Sequence, residues 1–462
     1  MTNKLVQFDI IGLHGVRDYS IRLEDNRVII VGENGSGKTT VFKIMYYAIS
    51  CDWDLLRTFD FEKVIMLFSN NQRVCVELEL LKSIYEINDV DRVAFYVDGH
   101  QYGRHRQFSG LINSLIEMKK RVENKNEEEF DRQFSASSPY PYRYIKGILD
   151  ARPLKDLYNI TKKIEQNFDA TILYLPTYRR IEEQLKNIFP NMDSDDWNKA
   201  RKRAQNNRAI ELVEFGMDDV ESAVKAYQEH LNEFSRAQQN KLTLGYLSEI
   251  IGEKYEQVNI EDIRKLTEDQ VGEILKRIER SILSDEQKSE ITRILVQKRD
   301  ADDPSFQVRE KIICHYFLKL IDFDRDMSIE EAALLKFIEK CNKYLVSNRL
   351  VYDKQNFICK IYNKVDEEFD SSNEIHFQDM SSGEKQIVSL FSHLNLSKHK
   401  GLFVFIDEPE LSLSVDWQRS FLVDILDSIS CIGLVATTHS PFVFENELER
   451  YVHGINEFCT RG

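Results

Sequence analysis

The chain has 462 residues, 42% hydrophobic and 30% charged, with a net charge of −15 from 62 basic and 77 acidic side chains. That apolar share can build a core and the length suits two to three domains, while the acidic balance disfavours broad binding to a phosphate backbone and leaves DNA open only through a local patch. No stretch approaches the ~18 apolar residues of a membrane span, the start MTNKLVQFDI is no signal peptide, and seven scattered cysteines without a CxxC pair fit reduced thiols, so the chain reads as cytoplasmic.

Apolar runs at Leu5–Ile11, Tyr19–Leu23 and Val28–Val31 predict strands at the start. Directly after the third come Gly32-Glu33-Asn34-Gly35-Ser36-Gly37-Lys38-Thr39, and then a helical spacing of Val41, Phe42, Ile44, Met45, Ala48 and Ile49. This is a phosphate-loop spacing in its strand–loop–helix context. Glycines let backbone N–H groups turn inward around phosphates, and the helix start adds positive potential. Lys38 suits the β- and γ-phosphates of ATP, and the Thr39 hydroxyl suits Mg²⁺. The candidate nucleotide-binding residues here are Glu33, Asn34, Gly35, Ser36, Gly37, Lys38, Thr39 and Thr40.

Further on, Arg73–Leu80, Ser83–Ile87 and Arg92–Val97 alternate as an antiparallel meander, with Asp98-Gly99 as a hairpin turn. From about 108 to 170 the spacing turns helical, broken by a polar stretch at Ser135–Pro141; Lys119–Arg132, almost wholly charged or amide, reads as solvated. Thr171–Leu175 is a buried-strand candidate ending at Pro176.

Between 190 and roughly 370 strand signals are few. Val220, Val224, Tyr227, Leu231 and Phe234 form an amphipathic seam, as do Val271, Ile274, Leu275, Ile278 and Ile282, and Leu334, Phe337, Ile338, Cys341 and Leu345. Short, broken seams point to a compact helical domain or short hairpins, not to long coiled-coil arms. Asp322, Asp324 and Asp326 read as a solvated loop between helices.

Near the end stands Met380-Ser381-Ser382-Gly383-Glu384, leading into a helical run. Its N–H groups and hydroxyls make an anion site, or equally a capping box. Leu402–Ile406 and Ile432–Ala436 are continuous apolar runs, the pattern of parallel strands buried on both faces, joined through a helix at 418–429. Asp407 and Glu408 end the first run, where doubly wound sheets bind ligands. Asp407 suits the Mg²⁺ shell and Glu408 can deprotonate the attacking water; alone, the pair would also pass for an ordinary polar strand end. His439 ends the second run, where it could bond a γ-phosphate or the water, or simply cap the strand.

Taken in order, GENGSGKT, MSSGE, FVFIDEPE and THS resemble the Walker A, signature, Walker B and switch-histidine series of ABC-type ATPase heads, in the branch that includes SMC, RecF and OLD-family ATPases. The resemblance implies an α/β fold, a mixed sheet plus an antiparallel meander, split by a mainly helical insertion. Its N-terminal lobe would span 1–185, the insertion 186–374 and the C-terminal lobe 375–462. It further implies that Ser381, Ser382 and Gly383 complete the ATP site of a second copy, making the chain a homo-oligomer. Glu410-Leu411-Ser412-Leu413-Ser414 aligns with the family's D-loop, with Ser414 where an aspartate or histidine is usual.

Tyr174–Glu182 is similar to a segment of bacterial anti-phage ATPases. It stands where a glutamine-bearing loop is usual, and Arg179 and Arg180 there are candidates to contact phosphate or a neighbouring subunit. OLD-type chains continue into a TOPRIM nuclease, for which the stretch after His439 is too short. The resemblance to ATPase subunits of two-component, PARIS-type anti-phage systems therefore implies partners: a separate TOPRIM effector, and a phage protein as trigger. The alternative is a RecF- or SMC-like ATPase of DNA repair or chromosome maintenance, in which the basic cluster Lys199, Arg201, Lys202, Arg203 and Arg208 would touch phosphates. The same cluster also reads as the wet face of a helix.

Overall fold

A computed structural model describes residues 3–88, 90–91, 110–124, 142–175, 208–211, 217–258, 265–278, 283–300, 307–363, 373–397 and 401–461. Its contacts divide the chain into two units, Met1–Glu214 with Lys398–Gly462, and Phe215–Ser397. In chain order the strands are β1 (Leu5–Leu13), β2 (Arg17–Arg22), β3 (Arg27–Val31), β4 (Lys63–Phe68), β5 (Arg73–Glu77), β6 (Thr171–Leu175) and β7 (Ala209–Glu211) in the first unit. The second unit holds β8 (Asn348–Asp353), β9 (Ile358–Asn363) and β10 (Glu374–Ile375); the first resumes with β11 (Leu402–Asp407), β12 (Cys431–Thr438), β13 (Val452–Gly454) and β14 (Cys459–Arg461).

Alternating burial builds the outer sheet of the first unit. Leu5, Phe8, Ile10 and Leu13 of β1 are buried on one face, and the antiparallel order is β14-β2-β1-β4-β5. The inner sheet is parallel, in the order β13-β3-β12-β11-β6-β7. Every residue of β11 is buried, as expected of a central strand covered on both faces. Phe405 meets Phe42 edge-on at 5.4 Å, and Tyr174 of β6 stacks on Tyr46 at 4.2 Å. The helix Lys38–Ser50 thus packs its apolar face onto β6 and β11. Gly433 permits the close passage of β12: a Cβ there would lie 2.4 Å from the Phe403 ring and 2.7 Å from the Asn26 carbonyl oxygen. The α/β class is the expected one; the inner sheet is wholly parallel where a mixed sheet was expected, and the antiparallel sheet stands apart from it.

The second unit carries helices Met217–Ile251 and Val308–Tyr344, of 35 and 37 residues. Both are longer than the short hairpins expected. Val220, Val224 and Leu231 are buried on the first, and Leu334, Phe337, Ile338 and Cys341 on the second, so the seams were legible and their continuity was not. The antiparallel sheet β10-β9-β8 went unread in the sequence, although Arg349–Tyr352 and Cys359–Tyr362 alternate around a polar turn.

Other expectations are corrected. Ser83–Ile87 is not a strand: residues Leu78–Tyr85 form a helix, with Leu78, Leu81 and Ile84 buried at helical spacing. Lys119 is not solvated but buried in the helix Leu111–Asn124, donating to the Leu149 carbonyl at 2.6 Å and to Asp150 at 3.1 Å. Asp322, Asp324 and Asp326 lie within one continuous helix, where Asp324 pairs with Arg277 and Asp322 with Arg325. Arg208 turns inward and donates to the Phe168 carbonyl, so it does not belong to a solvent-facing basic cluster. Arg92–Val97, Asp98-Gly99, Ser135–Pro141, and Lys199 to Arg203 lie outside the described residues. Among the described residues no helix is long and apolar enough to cross a membrane.

Candidate functional site

Strand register builds the site. In the inner sheet β12 lies between β3 and β11, all parallel. Thr438 pairs with Val31 and Thr437 with Asp407, so three strands end within a residue of one another. The phosphate-loop sequence leaves β3, the acidic pair leaves β11 and His439 leaves β12. Residues far apart in the chain are thereby delivered to one edge, where such sheets bind ligands.

In the loop, Gly35 and Gly37 take φ of 77° and 93°, a region that strains any L side chain. Lys38 opens the helix and is buried; its ammonium donates to the carbonyls of Gly32 at 2.8 Å and Glu33 at 2.9 Å. Burial lowers its proton affinity, against the opposing pull of Glu408, Asp407 and Glu410. The Ser36 Oγ is buried without a hydrogen-bond partner. A left-handed glycine loop, an orphaned hydroxyl and a desolvated cation fit a phosphate group. Thr39 and Thr40 follow, both half-buried.

Asp407 ends β11 fully buried and accepts from the Thr437 hydroxyl. Glu408 then turns the chain with left-handed angles, φ 52° and ψ 62°, the strained backbone often found where function demands it. Its N–H is held by the Thr437 carbonyl at 3.0 Å. Its carboxylate stands 3.6 Å from His439 Nε2, the two side chains being 23% and 30% exposed. Burial raises the Glu408 proton affinity, the neighbouring Asp407 and Glu410 add to that, and His439 and Lys38 oppose it. Among the described residues no group of His, Cys, Asp or Glu forms a metal site on its own. Thr39 and Asp407 are the oxygen donors suited to a Mg²⁺ ion that takes the rest of its shell from phosphate and water.

The structure brings Lys38, Asp407, Glu408 and His439 together. Ser381, Ser382 and Gly383 belong to the second unit. There Ser381 caps the helix Ser382–Leu396 in a capping box with Glu384, and Asn348 donates to both Glu384 oxygens at 3.0 Å. Contacts thus group this segment with the helical unit, which runs from Phe215 to Ser397, whereas the sequence assigned it to the C-terminal lobe. Arg179 lies outside the described residues. Two contacts were not read in the sequence: the Thr437 hydroxyl on Asp407, and the Glu410 carboxylate on the end of β12. The doubled threonine before His439 and the third acid of Asp407-Glu408-Pro409-Glu410 were the available signals.

The family described as "AAA domain, putative AbiEii toxin, Type IV TA system" matches residues 155–445, more than half the chain. No curated protein matches. Among solved structures, the chain is similar to the Smc head domain of Pyrococcus furiosus with an extended coiled coil, bound to the C-terminal domain of ScpA: identity is 12%, coverage 98% of this chain and 93% of that one, TM-score 0.33. An SmcHead bound to the C-winged helix domain of ScpA follows at 10% identity, 98% and 93% coverage and a TM-score of 0.32. The Smc head of Pyrococcus yayanosii with coiled coil and joint gives 12%, 98% and 95%, and 0.27.

Proposed function

This chain belongs to that AAA-domain family, and from that premise we propose that it binds ATP with Mg²⁺ and hydrolyses it at the edge where β3, β11 and β12 end. The observation that carries the reading is the convergence of Lys38, Asp407, Glu408 and His439 through the strand register. The backbone of Glu33 to Gly37 would wrap the phosphates, with Lys38 exchanging its two carbonyl bonds for phosphate oxygens. Thr39 and Asp407 would hold Mg²⁺, which when bound offsets charge on the terminal phosphates. Glu408, its basicity raised by burial, takes the proton of the attacking water, and His439 beside it orients that water or the γ-phosphate.

Ser381, Ser382 and Gly383 would complete the site of a second copy, so the working form is a homo-oligomer. The finer reading is an ATPase subunit most like AriA of the PARIS defence system. It would hold a separate TOPRIM effector and release it on meeting a phage protein. The sequence resemblance of Tyr174–Glu182, Arg179 included, supports this reading, and a toxin-system family is compatible with it. The test has two parts. Lys38→Ala should abolish binding of ATP; retained affinity would remove the phosphate-loop assignment. A TOPRIM protein co-expressed from the neighbouring gene should co-purify with the wild type. Failure to do so, together with strong duplex binding that falls steeply with salt, would favour a RecF- or SMC-like role on DNA.

A further inference from the structure

The carboxylate of Glu410 lies at the centre of a closed hydrogen-bonded ring beside the site. Glu410 sits in the short turn Pro409–Ser412 that follows Glu408. One of its oxygens accepts the backbone N–H of His439 at 2.7 Å, and the other accepts the Thr438 hydroxyl at 2.8 Å. Thr438 Oγ1 in turn accepts from the Ser440 N–H at 3.0 Å. The Ser440 hydroxyl donates to Gln418 Oε1 at 2.7 Å, and Gln418 Nε2 donates back to the Leu413 carbonyl at 3.0 Å. The end of β12 is thus bonded on both sides of His439 to the segment that leaves β11.

We propose that Glu410 is a positioning residue that keeps the His439 imidazole in register with the Glu408 carboxylate. Glu410 is tied to Glu408 through the chain, only Pro409 intervening, and to His439 through that residue's own N–H. Any shift of the end of β12 must therefore stretch a charge-assisted bond, the stronger kind. An ionised carboxylate offers acceptors only, which matches the two donors that meet it. An amide keeps the acceptor for the His439 N–H and can donate to Thr438 Oγ1 instead, so glutamine preserves the ring and alanine opens it.

The inference rests on the reading that Glu408 and His439 act as a pair on the attacking water, and its test separates the two. In nucleotide-free protein labelled with ¹³C at histidine Cε1, the His439 resonance is assigned by its loss in His439→Gln. Glu410→Ala should shift that resonance; Glu410→Gln should leave it in place. In turnover, Glu410→Ala should lower kcat by about tenfold to a hundredfold, the scale of a misplaced group, with Kd for ATP unchanged. Glu410→Gln should restore it, and in a His439→Ala background Glu410→Ala should have no further effect. If Glu410→Ala does not fold, Glu410→Asp, one methylene short, carries the same expectation. An unmoved His439 resonance, or an equal loss of kcat with and without His439, overturns the inference. Full activity of His439→Ala removes the underlying reading instead, while the resonance still decides whether the clamp exists.

Discussion

Replacing Glu408 by glutamine should separate binding from chemistry. Glutamine is isosteric, so the left-handed turn at φ 52° and the N–H bond to the Thr437 carbonyl remain available. The contact with His439 at 3.6 Å is partly exposed and is worth at most about 1 kcal/mol to the fold. Stability should therefore barely move. Chemistry should move far: a positioned general base supplies roughly 10²–10⁴-fold, which at ~1.4 kcal/mol per tenfold is about 3–5 kcal/mol of barrier. One negative charge also disappears beside Lys38, so ATP affinity should hold or improve. Because burial and two neighbouring carboxylates raise the proton affinity of Glu408, wild-type turnover should fall with decreasing pH above the ordinary glutamate value of 4.5, and that limb should vanish in the variant. Phosphate release at saturating ATP across pH measures turnover and its acid limb, equilibrium binding measures the affinity, and thermal unfolding the stability. Wild-type turnover by Glu408→Gln, or an unchanged acid limb, would refute the assignment.

Further predictions concern the supports of the site and of the second unit. Gly32→Ala would set a Cβ 2.9 Å from Ile455 Cγ2 and 3.0 Å from Ser36 Oγ; ATP affinity should fall and partly recover in Gly32→Ala/Ile455→Val, and an unchanged Kd would show that the loop yields freely. Phe405→Ala empties the centre of the inner sheet where Phe42 packs, at a cost of about 3–5 kcal/mol, seen as a lower Tm of the first unit. Fully buried Glu331 accepts from the two terminal guanidinium nitrogens of Arg277 at 2.8 and 2.9 Å and from the Tyr352 hydroxyl at 2.8 Å. Glu331→Gln keeps one acceptor but leaves Arg277 only Asp324 as a carboxylate partner, so the second unit should lose about 3 kcal/mol in urea titration; a loss indistinguishable from zero would mean the network is not a stability element.

Legibility followed the range of the interaction responsible. Continuous apolar runs gave away β6, β11 and β12, because strands buried on both faces leave no room for polar residues. The glycine-rich loop was equally plain, since Gly35 and Gly37, whose φ is positive, stand with Lys38 within eight residues. The helix Leu78–Tyr85 was misread because its apolar residues also satisfy a short alternation, and packing against its neighbours decided between the two. The burial of Lys119 could not be read at all, as its partners Leu149 and Asp150 come from another helix end.

Local spacing thus singled out Lys38, Asp407, Glu408 and His439 as the candidates for phosphate, acid and histidine chemistry, and the strands that lead to them. Only the tertiary structure decided that β12 inserts between β3 and β11, bringing His439 to 3.6 Å from Glu408, and that Glu410 bonds the His439 N–H. The reason is physical: a strand buried on both faces, as β11 is, carries no alternation that would fix its order or register, and the side chains that do fix them are distant in the chain.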